Sequence, residues 1–277
     1  MRRSIGARIV TWASTAVLSV VILLPLYWIV LSSILPRELI FQFPIQYIPR
    51  QPTFNNYIML FKSLNMPKLF TNSVITTVLG VSFGVLFSVM GGYAFSRIKF
   101  RGSNLVMGLL MLSTILPATA VLVPLFQLFR SLRIIDNVWG LTLLYINGPI
   151  PFGTWVMYGF FNQIPVSLEE SAEMEGAGFV RTMFSIIAPV LKPAIATLVI
   201  CDFVGAFNEF MVPLIFAANK ATTLPVGFVE LSASSMFATP WDTMSALGTL
   251  LLVPFVIIVI AFENRITQGL VAGSIKG

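Results

Sequence analysis

The sequence predicts an all-α integral membrane protein with six transmembrane helices. The first reason is composition. Of 277 residues, 57% are hydrophobic and only 10% charged, and the mean hydropathy is +0.90. About a quarter of the residues of a soluble domain are charged. The second reason is spacing, because the charges leave long uncharged intervals. Arg8 to Arg37, Lys68 to Arg97 and Arg101 to Arg130 each enclose 28 residues, Asp136 to Glu169 encloses 32, and Asp242 to Glu263 encloses 20. A helix crosses the hydrocarbon with about 20 residues. The third reason is the backbone, whose polar groups must be satisfied within the spanning element. Alternating ten-residue barrel strands are absent, so only helices fit.

Taken in order, the spans are 9–35, 72–96, 103–129, 138–161, 193–217 and 243–262, in one domain over 1–277. The fifth, Pro193 to Ala217, contains only Asp202 and Glu209 as charges. The first span is about twice the length of a signal-peptide core and lacks a small-residue cleavage site. Arg2, Arg3 and Arg8 then hold the N-terminus in the cytoplasm. With six spans both termini lie inside, which leaves ten of the 17 Lys/Arg inside and seven outside. Two outer loops are long. Pro36 to Leu69 contains five prolines, and Ala218 to Asp242 is polar.

Several positions break the apolar pattern. Gly80, Gly84, Ser88 and Gly92 form a ridge of small residues, for internal packing or for a subunit interface. Asn147, Gly148, Pro149 and Pro151 interrupt the fourth span, as a packed kink or as part of a transport path. Asp202, Gly205, Ala206 and Glu209 share one helical face, with Asn208 beside it. Carboxylates at membrane depth face a polar path or form a structural pair.

The motifs of other chemistry are missing, and only acid catalysis by Asp202 and Glu209 stays open. The chain lacks GxxxxGK[ST], GxSxG, HExxH and CxxC, it has one cysteine, Cys201, and it has no histidine. No catalytic residues and no metal ligands are expected, and the scattered basic residues do not form a nucleic-acid surface.

Glu169, Glu170, Glu173 and Glu175 are four of the chain's eleven acidic residues. Ser167 and Glu170 have the spacing of a capping box, and the glutamates then favour the first turns of a short helix. Gly176 can end that helix in the left-handed conformation. A second short helix carries Val180, Met183, Phe184 and Ile187 on one face. Together, residues 167–188 read as an acidic and apolar docking device on the cytoplasmic side.

This segment resembles the EAA motif of binding-protein-dependent ABC importers, here Glu170-Ser171-Ala172, Gly176 and Ile186-Ile187-Ala188-Pro189. Ser171 and Ala188 depart from the pattern. PTFNNY (52–57), GAFNEFMVPLIFA (205–217), TTLPVG (222–227) and QGLVAGSIKG (268–277) resemble the smaller permease subunit of maltose-transporter-type sugar importers. The resemblance implies a type I importer permease with a cytoplasmic coupling helix. It implies a second permease subunit, two copies of a P-loop ATPase that bind ATP and Mg, and an extracytoplasmic sugar-binding protein as partners. It places the chain in a bacterial or archaeal cytoplasmic membrane.

The resemblance also implies roles for residues. Glu169, Glu170, Ser171, Ala172, Glu173, Gly176, Ala177, Phe184 and Pro189 would form the ATPase-coupling element. The resemblance sets Asn208 and Glu209 in a path-forming helix, and the residue pattern itself adds Asp202, Gly205, Asn147 and Pro149 as candidates for the translocation path. Thr222, Thr223, Leu224 and Pro225 would meet the binding protein. Gln268, Gly273 and Lys276 would face the ATPases. An ion-driven secondary transporter using Asp202 or Glu209 is the competing reading.

Overall fold

In the computed structural model, residues 5–234 and 239–274 are described, and they form helices and loops without strands. In chain order the helices are α1 (Ile5–Ser33), α2 (Arg37–Ile40), α3 (Asn55–Ser63) and α4 (Met66–Arg97). Next come α5 (Ser103–Ile115), α6 (Ala118–Ser131), α7 (Val138–Asn147), α8 (Ile150–Phe161) and α9 (Ser167–Met174). The last four are α10 (Phe179–Phe207), α11 (Met211–Phe216), α12 (Gly227–Ser234) and α13 (Trp241–Ser274). Among the described residues, four helices are long and apolar enough to cross a membrane, or five if the bent pair α5–α6 is one span.

Three expected spans change form, each for a visible backbone reason. The third is two helices at 102° to one another. Leu116 turns extended ahead of Pro117, as the residue before a proline prefers. The fourth is broken between α7 and α8 at Gly148 and Pro149, where its sequence predicts an interruption. The fifth starts earlier than expected. Phe179–Phe207 runs as one 29-residue helix, so the apolar stripe at Val180–Ile187 is not a separate short helix. Pro189 lies in the first turn of the following α-helical segment and has no N–H for the carbonyl four residues back. The chain absorbs it with a π-helical turn over Met183–Ile187, in which the Ala188 N–H bonds the Met183 carbonyl.

The helices fall into two compact units. The first takes residues up to Met66 together with Gly227–Pro254. Its α1 ends at Ser33, leaving carbonyls without intrahelical partners. The PTFNNY stretch supplies them, since the Asn56 amide donates to Ser33 O at 3.0 Å and to Leu35 O at 2.8 Å. The Thr53 N–H bonds Ile34 O at 2.8 Å, and the Tyr57 and Ser33 hydroxyls lie 2.8 Å apart. Leu31, Leu35 and Ile40 pack beneath this clamp with Trp28. Asn56→Ala leaves two shielded carbonyls unpaired, so it should destabilise the chain by about 1–3 kcal/mol. A lowered melting temperature of the detergent-solubilised protein would report this. An unchanged melt would contradict it.

The second unit comprises Pro67–Val226 and the segment from Phe255. The small-residue ridge of α4 is its spine. A Cβ at Gly80 would lie 2.5 Å from Tyr145 Cβ, one at Gly84 2.7 Å from Pro149 Cγ, and one at Gly92 2.5 Å from Met157 Cβ. The Ser88 hydroxyl donates to Pro149 O at 3.2 Å as well as to Gly84 O at 2.8 Å. The ridge therefore serves internal packing, and it holds α7 and α8 against α4 on both sides of their break. Val81, Val85, Met157, Phe161, Ile187, Leu191 and Leu198 form the adjoining core.

Candidate functional site

The glutamate segment is built from the backbone outward. Helix α9 begins without the expected capping box: Ser167 is its first residue and Val166 its N-cap, with no side-chain cap bond. Backbone bonds from Leu168 to Pro165 O and from Glu169 and Glu170 to Val166 O start the helix instead. Pro165 fixes the chain direction there, so the hydroxyl is not needed. The helix ends as expected. Gly176 has φ +80°, its N–H bonds Glu173 O at 2.9 Å, and the Ala177 N–H bonds Ala172 O at 2.9 Å. These two bonds are the Schellman pair. Ala172 is the buried residue of α9, whereas Glu170, Ser171, Glu173, Glu175 and Gly176 are exposed.

Glu169 departs from the acidic group. Its carboxylate turns inward to α4, where Oε1 accepts from Arg97 Nε at 2.7 Å and Oε2 accepts from the Tyr93 hydroxyl at 3.2 Å. Both side chains of the ion pair are largely shielded, with 11% and 16% of their surface exposed. Arg97 also donates to Ile164 O at 2.9 Å and to Ser96 Oγ at 3.1 Å, and Ser96 Oγ donates to Asn162 Oδ1 at 2.7 Å. The Tyr93 ring packs edge-on against Phe161 and Phe179, with centroids 5.5 Å away in each case. Sequence reasoning used Arg97 only for membrane orientation and passed over Tyr93. A buried arginine needs an acidic partner, and Glu169 stands in a segment expected on the same side of the membrane.

The apolar stripe after Gly178 divides. Ile187 is fully buried and Met183 partly, whereas Val180 and Phe184 are 66% and 70% exposed. Met174 and Phe179 add to this open apolar surface, beside exposed Glu170, Glu173 and Glu175. Ala177 is half-buried, and Pro189 is exposed on the first turn beyond the π segment.

The residues expected along a path are not on one face. Helix α10 stops at Phe207, so Asn208 and Glu209 lie in the break before α11. Glu209 is occupied structurally, for its Oε1 accepts the Val212 N–H at 3.0 Å and starts α11. Gly205, Asn208 and Asn147 are open, and Pro149 is buried against Gly84. Asp202 is half-buried, and its Oδ2 is shielded without a hydrogen-bond partner.

The TTLPVG segment is also corrected. Thr222, Thr223, Leu224 and Pro225 are buried and present no contact surface. One Asp136 oxygen accepts the N–H groups of Asn219, Lys220 and Ala221 at 2.9, 2.7 and 3.1 Å. The Asn72 amide donates to Lys220 O and Thr222 O, and Leu224 N–H donates to Ser73 Oγ at 2.8 Å. A loop without regular structure must find backbone partners elsewhere, and here α4 and Asp136 provide them. Gln268 and Gly273 lie within α13, and Lys276 is outside the described residues, as are Arg2 and Arg3.

The family model for the binding-protein-dependent transport system inner membrane component matches residues 80–271. The chain is 33% identical to the trehalose transport system permease protein SugB of Mycobacterium tuberculosis, over 98% of this chain and all of that protein. It is 34% identical to the galactooligosaccharides transport system permease protein GanQ of Bacillus subtilis, over 95% and 93% of the two chains. It is 32% identical to the sulfoquinovosyl glycerol transport system permease protein SmoH of Agrobacterium fabrum, over 92% and 89%. A chain of a bacterial ABC transporter involved in the import of the acidic polysaccharide alginate shares the fold. The TM-score is 0.78 at 20% identity, over 95% of this chain and 99% of that one. Apolar spans, the motif spacing and full-length similarity agree: the chain belongs to the family of binding-protein-dependent transport system inner membrane components, and it is a multi-pass permease subunit rather than an enzyme.

Proposed function

We propose that this chain is one of two permease subunits of an ATP-driven importer that takes up a mono-, di- or oligosaccharide delivered by an extracytoplasmic binding protein. Permeases of trehalose and galactooligosaccharide systems among its relatives support a sugar as substrate. Family membership supports partner ATPases over an ion gradient as the source of work. The observation that carries the assignment is the α9 unit. A short helix closed by the Gly176 turn is seated through Ala172 and tied inward by Glu169; it presents Glu170, Glu173 and Met174 outward, and Phe184 of α10 is exposed as well. An exposed acidic and apolar surface of this kind suits a protein groove better than an anionic leaflet.

On this reading the chain crosses the membrane six times with both termini inside. The spans are α1, α4, the bent pair α5–α6, the broken pair α7–α8, α10 and α13. Two ATPase subunits hold ATP and Mg, because this chain has no phosphate loop. When they close they displace α9, and the permease pair alternates between outward and inward openings. Coupling requires α9 to make different contacts in the two states. Glu170, Ser171, Ala172, Glu173, Gly176, Ala177 and Phe184 form the docking unit, and the end of α13 with Gln268 and Gly273 extends toward the same partners. The open residues Asn147, Gly205 and Asn208, with Asp202, contribute to the path. With Thr222–Pro225 buried, contact with the binding protein falls to the exposed parts of the outer loops.

The intact complex extracted from membranes in mild detergent provides the test. It should contain an ATPase subunit and a second permease of similar length, and in proteoliposomes its uptake should require ATP and the soluble receptor. Uptake by the purified chain alone, driven by an ion gradient, would overturn the assignment.

A further inference from the structure

The two ends of α4 hold two different loops. At its C-terminal end Tyr93, Ser96 and Arg97 grip Asn162, Ile164 and Glu169, the whole connection from α8 into α9. Near its N-terminal end Lys68 donates to Asn219 O at 2.7 Å, Asn72 binds Lys220 O and Thr222 O, and Ser73 accepts from Leu224. The middle is locked to α7 and α8 at Gly80, Gly84 and Gly92, where no side chain could intervene. Its 32 residues make a rod about 48 Å long at 1.5 Å per residue. Nothing in the middle of the rod interrupts it, for α4 contains no proline after its first turn.

We propose that Arg97 is a positioning residue: its grip on Glu169 and Ile164 makes the α9 unit and α4 move as one body, so that a displacement of α9 reaches residues 219–224 at the far end of the rod. This rests on the reading of α9 as the site where the ATPases act. Arg97 touches neither the exposed surface of α9 nor the path. Its role is to keep the two elements from sliding. The planar guanidinium suits it, because three donors reach a carboxylate, a carbonyl and a hydroxyl at once. A lysine keeps the ion pair and gives up the fork.

The test uses the complete transporter in proteoliposomes with its soluble receptor, and it reads substrate moved per ATP hydrolysed. Arg97→Gln should still assemble with its ATPase and second permease, and the ratio should fall about fivefold, the lower end of what a coupling free energy supplies. Arg97→Lys should recover part of it. Loss of one member of a shielded pair can unfold a protein, so Arg97→Gln/Glu169→Gln, which leaves no lone charge, is measured beside it and should show the same fall. An unchanged ratio in the assembled double variant would overturn the proposal, as would Arg97→Lys behaving no better than Arg97→Gln. A wild-type complex that needs no ATPase would instead overturn the functional reading on which the proposal rests.

Discussion

Gly92→Leu will keep this chain from accumulating as a folded membrane protein, whereas Gly108→Leu will not. Both glycines lie in apolar helices expected to span the membrane, and substitution adds the same side chain at each. At Gly92 a Cβ would meet Met157 Cβ at 2.5 Å, Met157 C at 2.8 Å and Tyr158 N at 2.8 Å. Two of these three atoms are backbone, so no rotamer change relieves the overlap, and α8 must separate from α4. Overpacking a filled core costs about 1–3 kcal/mol and more when backbone has to move. Separation here also opens the packing of Gly80 on Tyr145 and Gly84 on Pro149, which lie on the same face. At Gly108 a Cβ meets nothing within 4 Å. The amount of each variant in the membrane, and its resistance to protease, decides the matter. Equal accumulation of the two would remove the α4 ridge from its place as the packing spine.

The ridge also shows how much could be read in advance. Small residues every four positions announce a close approach, and they left open only whether the neighbour belongs to this chain or another. The Gly176 turn was legible for a similar reason, since a glycine after a run of helix formers has few other uses. Prolines were harder. Pro189 marks a disturbance, but whether a helix ends there or passes through a π turn depends on the packing of Ile187 and Leu191 in the core. The fifth span therefore begins earlier than its charge pattern suggests, with α10 starting at Phe179. Asp202 and Glu209 share a face only if the helix continues, and it stops at Phe207 because Glu209 starts the next one.

Side-chain partners distant in sequence were the least legible. Arg97 and Glu169 are 72 positions apart, and Asp136 reaches 83 to 85 positions to hold Asn219, Lys220 and Ala221. Charge alone suggested solvated loops in both places. The burial of Thr222–Pro225 follows from those partners and could not precede them. A polar loop reads as a surface until the groups that bind its backbone are known.

On the proposed coupling role of α9, Gly176→Leu will break the link between ATP hydrolysis and uptake, and Gly176→Asn will largely preserve it. The effect is conformational rather than steric. A Cβ at Gly176 meets nothing within 4 Å, yet the residue sits at φ +80°, where a branched L-residue costs roughly 1–2 kcal/mol. Asparagine tolerates that region. A leucine pulls the turn toward negative φ, which breaks the Gly176–Glu173 and Ala177–Ala172 bonds and frees the end of α9. The helix has only eight residues, so it does not persist without its C-terminal turn. Glu170, Glu173 and Met174 then lose their common surface, while Glu169 remains held by Arg97 from the other end. A cost of one to two kcal/mol is roughly a 5- to 30-fold loss of the docked arrangement, and transport should fall in that range. Gly178→Leu is the control, since Gly178 also has open space and its φ of −71° is ordinary. Uptake and ATP hydrolysis measured on the three purified complexes separate conformation from added bulk. If Gly176→Leu assembles and transports like the wild type, α9 is not where ATP-driven motion enters this subunit.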